Sequence, residues 1–130
     1  MKEIGLGLLG FGTVGAGLVR GLQENGDLIA SRLGVKPVLR KIADLDLETD
    51  RGVTVDAGIL TTDAKAVIDD LAVDVVIELV GGTGVAKEFV LRALEQGKPV
   101  VTANKALLAD FGAEIFDLAR EQKTDIYFGA

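Results

Sequence analysis

The sequence contains no cysteine and no histidine. Without cysteine there are no disulfides, zinc ribbons or thiol nucleophiles, and without histidine the commonest metal ligand and the usual general acid/base are gone. No metal site is expected. Tryptophan is also absent and aromatic residues make up only 5% of the chain, so the core must be aliphatic. Long apolar runs are missing too: Val73 to Val80 is interrupted by Asp74 and Glu78, far short of a membrane span. Met1 leads almost directly into the first apolar run, without the basic and apolar regions of an export signal. The expectation is a cytoplasmic protein with no membrane partner. Positive charge is scarce as well, and a formal net charge of -6 with a pI near 4.6 sets any nucleic-acid partner against general phosphate repulsion. Chemistry in such a chain falls to lysines, carboxylates, hydroxyls or a bound cofactor.

What is present points to one soluble domain. The length of 130 residues suits a single core, and 48% hydrophobic with 26% charged residues is a globular balance. The most informative stretch is Gly10-Phe11-Gly12-Thr13-Val14-Gly15, a GxGxxG that follows the apolar run Ile4 to Leu9 and opens an amphipathic segment. In that setting the first glycine makes a tight turn, the second lets backbone approach a pyrophosphate, and the third seats the helix on the strand. The helix N-terminus then offers unpaired N–H groups and partial positive charge to the phosphates.

Apolar and amphipathic stretches alternate along the rest of the chain as βαβ units require. Strands are expected at Ile4 to Leu9, Pro37 to Ala43, Val73 to Leu79, Pro99 to Thr102 and Ile126 to Phe128, with a short one near Val53 to Val55. The first helix runs from Thr13 to about Leu33 with Val14, Leu18 and Leu22 at helical spacing, and Gly26 ends or interrupts it. A second helix is capped by Thr62 or Asp63 and runs to Leu71. A third, Val85 to Gln96, turns Phe89, Ala93 and Leu94 inward and stops at Gly97. A last helix carries Phe111, Ile115 and Leu118. The pattern predicts an α/β fold, a doubly wound parallel sheet of the Rossmann type in a single three-layer domain, with strand order 3-2-1-4-5-6.

In such a sheet the ligand lies beyond the carboxyl ends of the strands, so the residues after each strand are the candidates. Asp44 stands where a carboxylate accepts hydrogen bonds from adenosine ribose hydroxyls and repels a 2′-phosphate, which favours NAD over NADP. Asp46 competes for that role, and both could equally serve the turn. Val80-Gly81-Gly82, with Thr83, follows the strand beside the first one, where glycines permit close backbone approach to the far ribose and nicotinamide. Thr102-Ala103-Asn104-Lys105 follows the next strand. Asn104 is a helix cap, while Lys105 in a first helical turn opposes the dipole; it either reaches solvent or meets an anion or polar substrate.

Three blocks also carry a resemblance. Gly7 to Gly15, Asp74 to Gly82 and Gly97 to Ala109, the last reading Gly97-Lys98-Pro99-Val100-Val101-Thr102-Ala103-Asn104-Lys105-Ala106-Leu107-Leu108-Ala109, are similar in order and spacing to the nucleotide-binding domain of the homoserine dehydrogenases. The resemblance covers the whole chain but only the N-terminal part of that family's protein, whose catalytic and dimerisation region follows a strand similar to Ile126 to Ala130. It implies a fragment, residues 1–130, inactive alone, of an enzyme that exchanges a hydride between NAD or NADP and a small substrate. That substrate pair is L-homoserine and L-aspartate 4-semialdehyde, on the route to threonine and methionine, and the whole enzyme would be a homodimer. Gly10, Phe11, Gly12, Thr13, Val14, Gly15, Asp44, Val80, Gly81, Gly82, Thr102 and Lys105 would touch the cofactor. Lys105 would also be catalytic, its ammonium stabilising developing alkoxide charge and helping to deliver a proton. Many family members carry a basic residue suited to NADP near Ala43-Asp44-Leu45-Asp46, and a Glu is common where Gly129 stands. The readings that compete are another amino-acid-pathway dehydrogenase of this fold and a non-catalytic NAD(H)-sensing module.

Overall fold

The computed structural model describes residues 1–129. Six parallel strands form one sheet: β1 (Glu3–Leu9), β2 (Lys36–Ala43), β3 (Leu60–Thr61), β4 (Val75–Glu78), β5 (Val100–Thr102) and β6 (Ile126–Phe128). Their order is β3-β2-β1-β4-β5-β6, the expected one. Four helices connect them: α1 (Thr13–Leu33), α2 (Ala64–Asp69), α3 (Gly84–Glu95) and α4 (Lys105–Glu121).

Because parallel crossovers are right-handed, the direction in which the chain moves across the sheet decides which face each helix covers. Only the step from β1 to β2 goes one way through a helix, so α1 sits alone on its face. It packs Ala16 and Val19 against Leu6, Leu8, Ile42 and Ile77. The return to β4 and the onward steps to β5 and β6 go the other way and stack α2, α3 and α4 on the opposite face. There Val67, Ile68, Val90, Leu94, Leu107 and Ile115 meet Leu9, Val76 and Val100. Neighbours Leu8 and Leu9 serve different cores, as the two-residue period of a strand requires. The three layers are therefore present but unequal.

Several boundaries differ from the sequence reading. Val53 to Val55 forms no strand; Val53 and Val55 pack beside the α1 core from a loop, and Gln23 Nε2 on α1 donates to the Thr54 carbonyl at 2.6 Å. The alternation there reports half-burial against a helix, whereas the third strand is the two-residue Leu60–Thr61 after a 3-10 turn, Ala57–Ile59. Asp63, not Thr62, caps α2 by accepting the Ala66 N–H at 3.2 Å. That helix stops at Asp69, and Leu71 is exposed. Strand β4 is shorter than Val73 to Leu79, although Val73 is buried. The interruption of α1 falls at Asn25 (φ -124°, ψ 16°), one residue before Gly26, and the helix continues to a left-handed cap at Gly34. Val14 is exposed, and the buried face of α1 is Gly15, Ala16, Val19 and Ala30.

Gly15 shows why that face is shifted. A Cβ there would lie 2.4 Å from the Gly10 carbonyl oxygen, whereas one on Gly17 meets nothing within 4 Å. Gly15→Ala should lower stability by about 1–3 kcal/mol through overpacking. Gly17→Ala on the open face of the same helix should raise it by about 0.5–1 kcal/mol. Urea unfolding of both variants checks the pair; a gain at both positions would show that α1 does not press on the turn.

Candidate functional site

Between β1 and β4 the chain departs to opposite faces, which opens a cleft at the carboxyl ends of the strands. The Gly10–Gly15 turn forms its floor. Gly10 has φ 99°, a region that excludes other residues, and a Cβ there would stand 2.8 Å from the Leu79 carbonyl oxygen of the neighbouring strand end. Its N–H donates to the Ala43 carbonyl at 2.8 Å, so the turn is pinned to β2 as well. The Phe11 side chain is buried in the α1 core, so this residue offers the cleft only backbone. Gly12 is the N-cap of α1 and supplies no side-chain cap, and no acidic residue lies in the first turn. Thr13 and Val14 are exposed beside it.

At the end of β2, the two carboxylates divide their work. Asp44 Oδ2 accepts the Phe11 N–H at 2.6 Å and Oδ1 accepts the Asp46 N–H at 2.8 Å. It thereby braces the glycine turn from the side, and each oxygen keeps a second lone pair for another donor. Asp46 folds its own loop, accepting from the Glu48 and Thr49 backbone N–H groups, the Thr49 hydroxyl and Arg51. The Thr49 hydroxyl and these N–H groups hold its carboxyl down at about 2. Of the two, Asp44 lines the cleft.

The cleft has a volume of about 680 Å³. Leu9, Gly10, Gly12 and Asp44 line its centre, with Leu45, Thr62 and Lys65 on the β2 side and Val80, Val85 and Phe89 on the β4 side. Its walls are largely apolar.

The ends of β4 and β5 complete that edge. Gly81 and Gly82 have φ 80° and 72° and are exposed with Val80. Thr102 is buried, and its hydroxyl reaches Glu78 at 2.7 Å. Asn104 caps α4 by accepting the Leu107 N–H at 3.0 Å, as its position in the sequence suggested. Lys105 is the first residue of α4, exposed, and in no salt bridge among the described residues. The structure thus gathers all the predicted residues on one edge, but Phe11 and Thr102 point their side chains into the protein.

Glu78 is a residue of this edge that the sequence pattern does not single out. It is fully buried, and its carboxylate accepts three hydrogen bonds from the strand ends. The signal in the sequence was an acid within an otherwise apolar parallel strand.

The site can be tested for fit to a dinucleotide. A Cβ added at Gly12 meets nothing within 4 Å, so the turn leaves open space directly before an uncapped helix N-terminus, the arrangement that takes a pyrophosphate. Apolar walls suit flat rings, and the free lone pairs of Asp44 suit hydroxyls. The residues fit the group. Among the described residues no cluster of carboxylates could hold a metal ion.

Comparison with known proteins bears on the same point. The family model described as "Homoserine dehydrogenase, NAD binding domain" matches residues 10–129. The homoserine dehydrogenase of Bacillus subtilis is 45% identical over 130 residues, covering 100% of this chain and 30% of that protein. The enzyme of Corynebacterium glutamicum is 46% identical over 130 residues, 99% of this chain and 29% of its own. Among solved structures, a homoserine dehydrogenase from Thiobacillus denitrificans superposes with a TM-score of 0.91 at 40% identity, over 98% of this chain and 30% of that one. The chain therefore spans about 30% of the length of these relatives. A family model matched over residues 10–129, from the glycine turn through β6 of this parallel sheet, shows that the chain belongs to the homoserine dehydrogenase family, as its NAD-binding domain.

Proposed function

We propose that residues 1–130 form the cofactor-binding domain of a homoserine dehydrogenase that reversibly converts L-homoserine to L-aspartate 4-semialdehyde in threonine and methionine synthesis. The observation that carries the reading is the open, uncapped N-terminus of α1 behind Gly12, at the strand ends where β1 and β4 part. Gly12 and the backbone N–H groups of Thr13 and Val14 hold the pyrophosphate, while Gly10, Phe11 and Gly15 shape the turn beneath it, the Gly10 and Phe11 N–H groups being taken up by Ala43 and Asp44. Asp44 accepts from the adenosine ribose and favours NAD over NADP by repelling a 2′-phosphate. Val80, Gly81 and Gly82 line the nicotinamide side, and Thr102 supports it from beneath. When bound, the nicotinamide cofactor supplies the hydride carrier.

The chain's own contribution to chemistry is Lys105. With no histidine or cysteine in this domain, the Lys105 Nζ ammonium is the group that stabilises negative charge on the reacting oxygen and holds the proton to be given there. In the same reading, a substrate-binding and dimerisation region outside these 130 residues makes the whole enzyme a homodimer. Alone the domain binds cofactor without turning it over. A cytoplasmic setting goes with that biosynthetic role; no helix among the described residues is long and apolar enough to cross a membrane.

Gly12→Val should weaken NADH binding about tenfold or more by filling the space before α1, as read by fluorescence titration or calorimetry. Equal affinity in both proteins would end the pyrophosphate assignment. Asp44→Asn keeps an acceptor for the Phe11 N–H while removing charge, and should shrink the preference for NAD over NADP. An unchanged affinity ratio would remove Asp44 from cofactor choice. In the whole enzyme, Lys105→Ala should lower kcat for homoserine oxidation by about a hundredfold or more with little change in NAD affinity or melting temperature. Normal turnover would return Lys105 to the status of a solvated surface lysine.

A further inference from the structure

Glu78 ends β4, the strand beside the glycine turn, on a strand whose other buried positions are valine and isoleucine. It is fully buried, and no lysine or arginine lies within salt-bridge reach among the described residues. A carboxylate in such a place is costly unless hydrogen bonds replace the water it has lost. Three donors do so. The Val80 and Gly81 N–H groups donate to Oε2 at 2.8 and 3.1 Å, and the Thr102 hydroxyl donates to Oε1 at 2.7 Å.

The network continues past Glu78. Thr102 Oγ1 accepts the Asn104 N–H at 3.0 Å, and Asn104 Nδ2 donates to the Gly82 carbonyl at 2.6 Å. Asn104 Oδ1 meanwhile caps α4 at Leu107. The result is a closed ring of contacts: from Glu78 through the Val80–Gly82 turn to Asn104, through Thr102, and back to Glu78. Its members span the ends of two strands and the start of the helix that carries Lys105.

An apolar residue at position 78 would continue the strand's own pattern, but it would leave the Val80 and Gly81 N–H groups and the Thr102 hydroxyl without their acceptor. What an apolar residue would not do is hold the Val80–Gly82 backbone. Gly81 and Gly82 both have positive φ, and a Cβ on either meets nothing within 4 Å, so packing does not fix this turn. The hydrogen bonds to Glu78 and Asn104 do.

Resting on the cofactor reading above, we propose that Glu78 is a positioning residue for the nicotinamide half of the cleft. It sets the Val80–Gly82 turn directly, and through Thr102 and Asn104 it sets the first turn of α4. The pyrophosphate and adenosine half is braced separately, by Asp44 and Ala43 on the Phe11 and Gly10 N–H groups. The two halves of one ligand therefore depend on different hydrogen-bond networks, and Glu78 belongs to one of them.

The test compares NADH, which reaches both halves, with ADP-ribose, which lacks the nicotinamide. Thr102→Val exchanges the hydroxyl for a methyl group and opens the ring without changing side-chain shape. It removes two hydrogen bonds, to Glu78 and from the Asn104 N–H, and should weaken NADH binding about tenfold while leaving ADP-ribose binding within about twofold of wild type. Thr102→Ser, which keeps the hydroxyl, should restore NADH affinity. Glu78→Gln keeps an acceptor for the turn but loses one for Thr102, and should show a smaller loss in the same direction; it decides the matter by the same comparison if Thr102→Val does not fold. Equal losses for the two ligands in folded variants, or no loss for either, would overturn the proposal while leaving the cofactor site standing. Failure of the wild-type chain to bind either ligand would instead overturn the cofactor reading, and the role of Glu78 with it.

Discussion

The parting of the chain beside β1 and β4 is the constraint on which everything else depends. Two adjacent parallel strands send their connections to opposite faces, since right-handed crossovers leave no other choice once the chain has gone to β2 first and returned to β4 later. No helix of the domain can then cover the strand ends between them. The cleft is a consequence of strand order, and its position at the carboxyl ends brings the N-termini of α1, α3 and α4 to the same edge.

An opening made by topology still has to be given a shape, and here that shape is set by backbone groups held from below. Gly10 fits under Leu79 only without a side chain, Gly15 fits over Gly10 for the same reason, and Ala43 and Asp44 take up the two N–H groups of the turn. At the other end, Glu78, Thr102 and Asn104 do for the Val80–Gly82 turn what close packing does for the first. The two ends of the cleft are thus rigid for different physical reasons. Close packing with two hydrogen bonds holds one, and hydrogen bonding around a buried carboxylate holds the other.

These reasons also explain how much could be read from the chain itself. The glycine turn, the helix of Thr13–Leu33 and the cap at Asn104 were legible because each rests largely on neighbours close in sequence, and the strand order followed from the alternation of strands and helices around that turn. Val53 and Val55 misled because alternation records half-burial and not its partner, which here is α1. Val14 misled because helical spacing alone does not fix the phase of a helix; the contact of Gly15 with Gly10 does. The brace from Asp44 to Phe11 crosses 33 positions and the bond from Thr102 to Glu78 crosses 24, and nothing local announces either. The family resemblance, carried by blocks around the strand ends, was readable because those blocks are contiguous. The acid within β4 was visible in the sequence, but its meaning depended on the Thr102 hydroxyl, supplied by another strand end, as well as on the N–H groups that follow it.

In the proposed function one dinucleotide lies along this edge, from the start of α1 to the start of α4. Backbone amide chemical shifts of the uniformly labelled chain, followed while NADH is added, test it most directly. Saturable shifts are expected at Gly12 to Gly15, Asp44, Val80 to Gly82 and Lys105, all with one binding curve. Shifts confined to the smaller hollow near the start of β2, lined by Leu22, Asn25, Gly26, Lys36 and Pro37, or scattered without saturation, would contradict it.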